Sequence, residues 1–317
     1  MKLGLTLSSE EHGPRRLIDM AVLAEERGFD FVSISDHFHP WIGAQGHSPF
    51  VWSVLGGIAT ATESVEVGVG VSCPILRIHP AILAQAVATT GLLFDGRLIW
   101  GVGTGENLNE HVLGDPWPAY EVRAAMLEES IALIRRMWAE DSVTHRGEYF
   151  TVEDARIFDR PDTEVPIVIS AFGEKSAKLA ARAGDGLWLS STNEETIAAF
   201  SDAGGSGPVF SQLTVCWGPD RDDAIQLAHK VWPNTGLPGQ LNQELRTVLD
   251  FEQAVELVTP EKLAEEIPCG PDADSIIEKA LEAREAGVDH LYFHQIGDDQ
   301  EGFVAFWEKE IREALED

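Results

Sequence analysis

Basic residues are scarce in this chain. Only 23 lysines and arginines, seven of them lysine, stand against 53 aspartates and glutamates, a formal charge of −30 over 317 residues. So strong a negative field repels phosphate backbones and anionic headgroups, which argues against nucleic acid and membrane surfaces as partners. Cysteine is scarcer still. Cys73, Cys216 and Cys269 are odd in number, far apart and free of any C-x-x-C pairing, so neither a disulfide framework nor a cysteine zinc site is expected. No H-x-x-x-H puts two histidines on one helical turn, and a metal held by His37, His39 and His47 is disfavoured on that ground. Long apolar runs are missing too. Nothing approaches the roughly 18 residues that cross a bilayer, and residues 1–11 lack a basic start, a long apolar core and a cleavage site. A cytoplasmic location is the expectation. The acids spread through every helix without forming a tail, and with lysine this depleted the pattern predicts adaptation to high internal salt, where screening suppresses self-repulsion.

What is present alternates regularly. Apolar runs at 3–7, 31–35, 65–71, 98–102, 167–170, 187–190, 209–215 and 290–294 read as strands, with 267–269 ambiguous. Amphipathic stretches between them read as helices, at 14–28, 50–62, 80–93, 119–139, 176–182, 194–203, 220–231, 273–286 and 302–315. Three times a helix ends on glycine, turns through aspartate and enters an apolar run: Ala24-Glu-Glu-Arg-Gly-Phe-Asp30, Ala180-Ala-Arg-Ala-Gly-Asp-Gly186 and Ala283-Arg-Glu-Ala-Gly-Val-Asp289. That is a repeating βα unit. Eight such units in about 300 residues predict an α/β fold, one (β/α)8 barrel, the TIM barrel, over residues 1–317. Residues 140–164 are expected to be a hairpin-like insertion. Residues 232–260, with Pro233, Gly236, Pro238 and Gly239, are expected to be an irregular lid.

In such a barrel chemistry sits at the C-terminal ends of the strands. Two of these ends break into polar, titratable residues. One is Ser35-Asp-His-Phe-His-Pro-Trp41; the other is Gly101-Val-Gly-Thr-Gly-Glu106, continuing to Asn109 and Glu110. The glycine run is not a dinucleotide fingerprint, which needs G-x-G-x-x-G leading straight into a helix. Small residues at Gly70, Gly173 and the glycine loop leave space for a large flat ligand, and His37 with Glu106 forms a candidate proton-transfer pair. Against this stands a plainer reading of Glu106 as a helix-capping carboxylate.

The two motifs, in this order and about 70 residues apart, resemble those of the luciferase-like flavin and deazaflavin oxidoreductases. Within that family the chain is most similar to the branch holding the coenzyme F420-dependent glucose-6-phosphate dehydrogenases, with Pro74-Ile-Leu-Arg-Ile-His-Pro80, Val165-Pro-Ile-Val-Ile-Ser170 and His290-Leu-Tyr-Phe-His294 also in register. The resemblance implies coenzyme F420 as cofactor and His37, Glu106 and Trp41 as the catalytic group. His37 would handle the substrate hydroxyl proton, Glu106 would protonate the deazaflavin as hydride arrives, and Trp41 would wall the substrate. It implies contact with the cofactor for Asp36, Gly70, Val71, Cys73, Thr104, Gly105, Asn109, Ala171 and Gly173, a non-proline cis peptide at Gly70-Val71, and a homodimer. An FMN-dependent monooxygenase and a non-catalytic binding protein remain as alternatives. One departure stands out. The branch holds its substrate phosphate with Lys and Arg, but here none occurs between Arg182 and Arg221, and Ala264-Glu-Glu-Ile267 replaces a basic pair. Losing such charge-assisted contacts costs several kcal/mol, which favours a neutral sugar or other alcohol over a glucose-6-phosphate dehydrogenase with a rebuilt phosphate site. Phe172 also replaces a glycine of the branch.

Overall fold

The computed structural model describes residues 1–316 and contains a closed barrel of eight parallel strands. In chain order these are β1 (Lys2–Leu7), β2 (Phe31–Ile34), β3 (Glu66–Ser72), β4 (Leu98–Val102), β7 (Ile167–Ser170), β8 (Gly186–Leu189), β9 (Val209–Val215) and β10 (His290–Gln295). An antiparallel hairpin, β5 (Val143–Arg146) and β6 (Thr151–Ala155), lies between β4 and β7. All eight expected barrel strands form, and β10 closes the ring against β1 with Lys2 opposite His290 and Leu5 opposite Phe293. The first helices are α1 (Pro14–Glu26), α2 (Val51–Ala61) and α3 (Pro80–Phe94), all outside the ring. Both α1 and α3 start on proline, whose missing N–H costs nothing in a first turn.

The barrel interior is filled by Phe31, Val168, Trp188, Phe210 and Tyr292. Trp188 stacks on Phe210, centroids 4.6 Å apart and planes 5° from parallel, and its indole N–H donates to the Tyr292 hydroxyl at 2.7 Å. Small residues face these large ones. A Cβ on Gly68 or Gly70 would sit 2.6 or 2.5 Å from the Trp188 ring, and one on Gly101 only 2.3 Å from the Val69 carbonyl oxygen. Much of the space that the glycines open is therefore taken by the protein's own tryptophan, not by a ligand. Of Gly68, Gly70, Gly101, Gly103 and Gly105, only Gly105, at φ +82°, needs the left-handed backbone that glycine favours.

The lid differs from its sequence reading. Residues 232–260 contain a 3-10 turn (Pro233–Gly236) and two helices, Leu241–Glu244 and Val248–Val255, and a further helix, Pro260–Glu266, follows. Thr247 and Asp250 form a reciprocal capping box, and Thr259 caps the next helix, which starts on Pro260. Those T-x-x-D and T-P signals are legible in sequence, but the surrounding Gly and Pro density hides them. The segment packs in a second apolar cluster, in which Phe251, Val258 and Leu263 join Trp41 and Ile42 of the loop after β2. The ambiguous 267–269 segment contributes one parallel bridge, Cys269 beside Cys216. The last helical stretch starts at Gln300 and includes a π-helical turn, Trp307–Ile311. Among the described residues no helix is long and apolar enough to cross a membrane.

Candidate active site

A cavity of about 1520 Å³ opens at the C-terminal ends of the strands, and both motif loops line it. His37 is one of the lining residues. Its Nδ1 lies 3.2 Å from the His39 carbonyl oxygen and 3.4 Å from Glu10, and its Nε2 lies 3.3 Å from Glu106. A backbone carbonyl only accepts, so Nδ1 carries a proton, and in the uncharged imidazole Nε2 presents its lone pair toward Glu106 and the cavity. Glu106 keeps 24% of its side chain exposed. Enclosure in the cavity raises its pKa, with nearby Glu10 pushing the same way and His37 opposing. It is thereby biased toward the protonated form.

Asn109 ties the two motifs together. Its side-chain oxygen accepts the backbone N–H groups of Phe38 and His39, at 2.8 and 3.2 Å, while its amide donates to Glu106 at 3.1 Å. One carboxamide thus fixes the distance between the histidine loop and the acid. Trp41 lies edge-on to His37 with centroids 5.0 Å apart. Its backbone N–H is held at 2.8 Å by Gln45, whose amide reaches the Val231 carbonyl at the end of helix Arg221–Val231 and, at 3.4 Å, the side-chain oxygen of Asn234, so the tryptophan is tied to the start of the 232–260 segment.

Beneath this lies a buried charge network. Asp36 accepts from Arg77 at 2.8 Å and from the Ser72 hydroxyl at 2.7 Å, so its carboxylate is engaged by the protein itself. Glu110 accepts the Arg77 backbone N–H at 2.8 Å and sits 3.6 Å from the guanidinium. It is 1% exposed, and burial pushes its pKa to about 7 against the pull of Arg77. Burial likewise holds the Cys73 thiol neutral. A carboxyl raised from 4.5 to about 7 in the folded state stabilises the protein fully below its unfolded pKa and loses that contribution as pH rises through 7. Glu110→Gln should therefore gain on the wild type by about 3 kcal/mol between pH 4.5 and 8. Denaturant unfolding of both proteins across that range checks it; a constant difference would mean that Glu110 does not titrate there.

Family membership follows from comparison. Residues 1–290 match the family model described as luciferase-like monooxygenase. The chain belongs to this family. F420-dependent glucose-6-phosphate dehydrogenases from Segniliparus rotundus and Microbacterium testaceum are each 35% identical to it, over 99% and 98% of this chain and 98% and 96% of their own. A solved F420-dependent secondary alcohol dehydrogenase, in complex with an F420-acetone adduct, superposes with a TM-score of 0.91 at 30% identity, covering 100% of this chain and 99% of that one. The coenzyme F420-dependent tetrahydromethanopterin reductase of Methanopyrus kandleri shares the fold, at TM-score 0.80 and 22% identity over 99% of both chains.

In this luciferase-like barrel the cavity brings together His37, Glu106, Trp41, Asp36, Gly70, Val71, Cys73, Thr104, Gly105, Asn109 and Gly173. The Gly70-Val71 peptide bond is cis. Ala171 is not among the lining residues. It is 2% exposed in the core, and its N–H donates to the Trp188 carbonyl at 3.0 Å, so any contact with a ligand would have to come through its neighbours. Phe172, 61% exposed, lines the rim. Sequence reasoning gave no role to Glu10, Arg77, Glu110, Glu11, Trp232 or His294. Glu10 and His294 lie at strand ends, which was a usable signal. Arg77, in the loop after β3, has none that spacing reveals.

Proposed function

We propose that this chain is a coenzyme F420-dependent dehydrogenase that moves a hydride between a hydroxyl-bearing carbon of a neutral alcohol or sugar and C5 of the deazaflavin. The observation that carries the reading is His37 set between Glu10 and Glu106 at the mouth of a cavity walled by small residues. Full-length similarity to enzymes named as F420-dependent dehydrogenases supports it.

The residues present fit such a group. Gly103, Thr104, Gly105 and the Gly70-Val71 bulge would hold its flat ring. Arg123 steadies that loop by donating to the Thr104 carbonyl at 3.2 Å. At Gly173 an added Cβ would meet nothing within 4 Å, and the ten-residue helix it opens, Glu174–Ala183, has no side chain capping its N-terminus. Gly173 through Ser176 line the cavity, so those backbone N–H groups would receive a phosphate. When bound, the deazaflavin supplies the hydride acceptor. His37 takes the hydroxyl proton at Nε2, Glu106 keeps its proton available on the acceptor side, and Trp41, edge-on to His37, walls the substrate.

Two lysines and ten carboxylates line the cavity, and Lys175 is already paired with Glu121 at 2.8 Å. This balance supports a neutral substrate over a phosphorylated one. Titration with F420 and with FMN, followed by fluorescence, tests the cofactor. Micromolar affinity for F420, weaker binding of FMN and deazaflavin reduction by an alcohol or sugar are expected; tight FMN binding with no deazaflavin turnover would overturn the reading.

The dimer and the high-salt setting belong to the same proposal. Helix α3 is apolar on both faces and exposes Ile82, Leu92 and Leu93, and Phe50 at the start of α2 is also exposed; a second copy of the chain would cover them. With a charge of −30, the unfolding temperature should climb by about 10 °C or more between dilute and 2 M KCl. Calorimetry checks that, and light scattering in the same buffer should give twice 34.7 kDa. A flat salt response would remove the halophilic reading, and a monomeric mass would remove the dimer.

A further inference from the structure

A second imidazole on the cavity wall takes no part in the proton chemistry above. His294, at the end of β10, is 2% exposed and lines the cavity. β10, β1 and β2 are neighbours in the barrel, so His294 shares an arc of the rim with Glu10 and His37, whereas the proposed cofactor cradle occupies the ends of β3, β4 and β7. Its Nε2 lies 3.0 Å from Glu11. Glu11 is also buried, and it accepts the indole N–H of Trp232 and, at 2.8 Å, the backbone N–H of Gly297. Burial by itself would raise the Glu11 pKa, but the His294 contact and the two N–H donors outweigh it and hold the group below its ordinary value. An ionised carboxylate only accepts, so Nε2 carries the proton, and with that tautomer of the uncharged imidazole Nδ1 is the acceptor. Among the described residues nothing donates to that nitrogen. An acceptor without a donor, in a side chain this enclosed and on a cavity wall, fits a ligand hydroxyl. Trp232 stands against the His294 ring at 4.5 Å and 80°, locked by the same carboxylate, and also lines the cavity. The same cavity is also lined by Asn234, Thr235, Ser191 and Thr192, all neutral hydrogen-bonding groups.

We propose that Glu11, His294 and Trp232 form a polyol subsite, in which His294 Nδ1 accepts from a second hydroxyl of the substrate and Trp232 covers the adjoining C–H face. The inference rests on the dehydrogenase reading and narrows it. The substrate is a neutral compound with at least two hydroxyls, a sugar or polyol, and not a simple secondary alcohol.

Two carboxamides separate the two nitrogens, because glutamine reaches the place of Nε2 and asparagine that of Nδ1. His294→Gln keeps the Glu11 contact and removes the cavity-side acceptor; His294→Asn does the reverse. Binding of glucose, sorbitol and 2-propanol is measured by calorimetry, and KM and kcat with F420 in parallel. The wild type should prefer one of the two polyols to 2-propanol by about 10-fold or more, the worth of one well-placed hydrogen bond. His294→Gln should lose that preference through KM with 2-propanol unchanged, and His294→Asn should recover most of it. Equal losses for all three probes, no loss for any, or a wild type without the preference would overturn the subsite. If His294→Gln does not fold, Trp232→Leu carries the same comparison, with a polyol-specific loss upholding the subsite and a uniform one overturning it. Polyol binding that depends on His294 without any hydride transfer would uphold the subsite and sink the dehydrogenase reading, so the two failures are distinguishable.

Discussion

Replacing Glu106 by glutamine should lower turnover by about 100-fold or more while F420 still binds. The carboxamide preserves the shape of the side chain and a partner for Asn109, which now lies 3.1 Å from the carboxylate, so the loop should keep its course. What disappears is the exchangeable proton. The acid is suited to carry one because enclosure in the cavity and the nearby Glu10 both push its pKa up, and His37 only partly offsets them. Glutamine cannot release a proton at any accessible pH, and the step that needs it falls to water. Fluorescence titration separates the outcomes. Unchanged turnover would remove Glu106 from the chemistry, whereas lost F420 affinity with normal turnover at saturation would make it a binding residue.

Removing the imidazole should have an effect of similar size. His37→Ala is expected to cost about 10²- to 10⁴-fold in kcat, because it deletes the one lone pair that the hydrogen bonds around His37 leave facing the cavity. The distances make that nitrogen Nε2, since Nδ1 is committed to the His39 carbonyl at 3.2 Å. Alanine also leaves a hole beside Trp41, whose ring centroid is 5.0 Å from that of the histidine. Added imidazole should occupy the hole and restore part of the rate. A collapse of the loop would slow turnover as well but would not respond to imidazole, so a rate loss without rescue would move His37 from proton transfer to structure.

Much of the barrel was legible because it depends on local patterns. A run such as 65–71 is rich in β-branched residues, and Pro14 and Pro80 mark helix starts by chemistry that needs no distant partner. The lid was misread for the converse reason: Pro238 and Gly239 suggest disorder of structure, while the order comes from Phe251 and Leu263 packing with Trp41, some 200 residues away in the chain. The site was legible in part. His37 and Glu106 stand out because each ends an apolar run. Asp36 was expected to contact the cofactor and does line the cavity; Arg77 and Ser72 also hold its oxygens, and nothing in the spacing of these residues says that they meet.

By itself, then, the sequence determined the eightfold alternation of strand and helix, the acidic and lysine-poor surface, and the two loops that carry an imidazole and a carboxyl, since each follows from hydropathy period, composition or turn chemistry within a few neighbouring residues. Tertiary structure alone decided that Glu10 would flank His37, that Asn109 would bind both loops, that Glu110 would be buried against Arg77, and that Glu11 would join His294 to Trp232. These pairings depend on ring closure, which brings β10 beside β1 and stacks loops from separate strands over one cavity. A hydrogen bond between residues 11 and 294 has no local signal, because its geometry exists only after every strand between them has been placed.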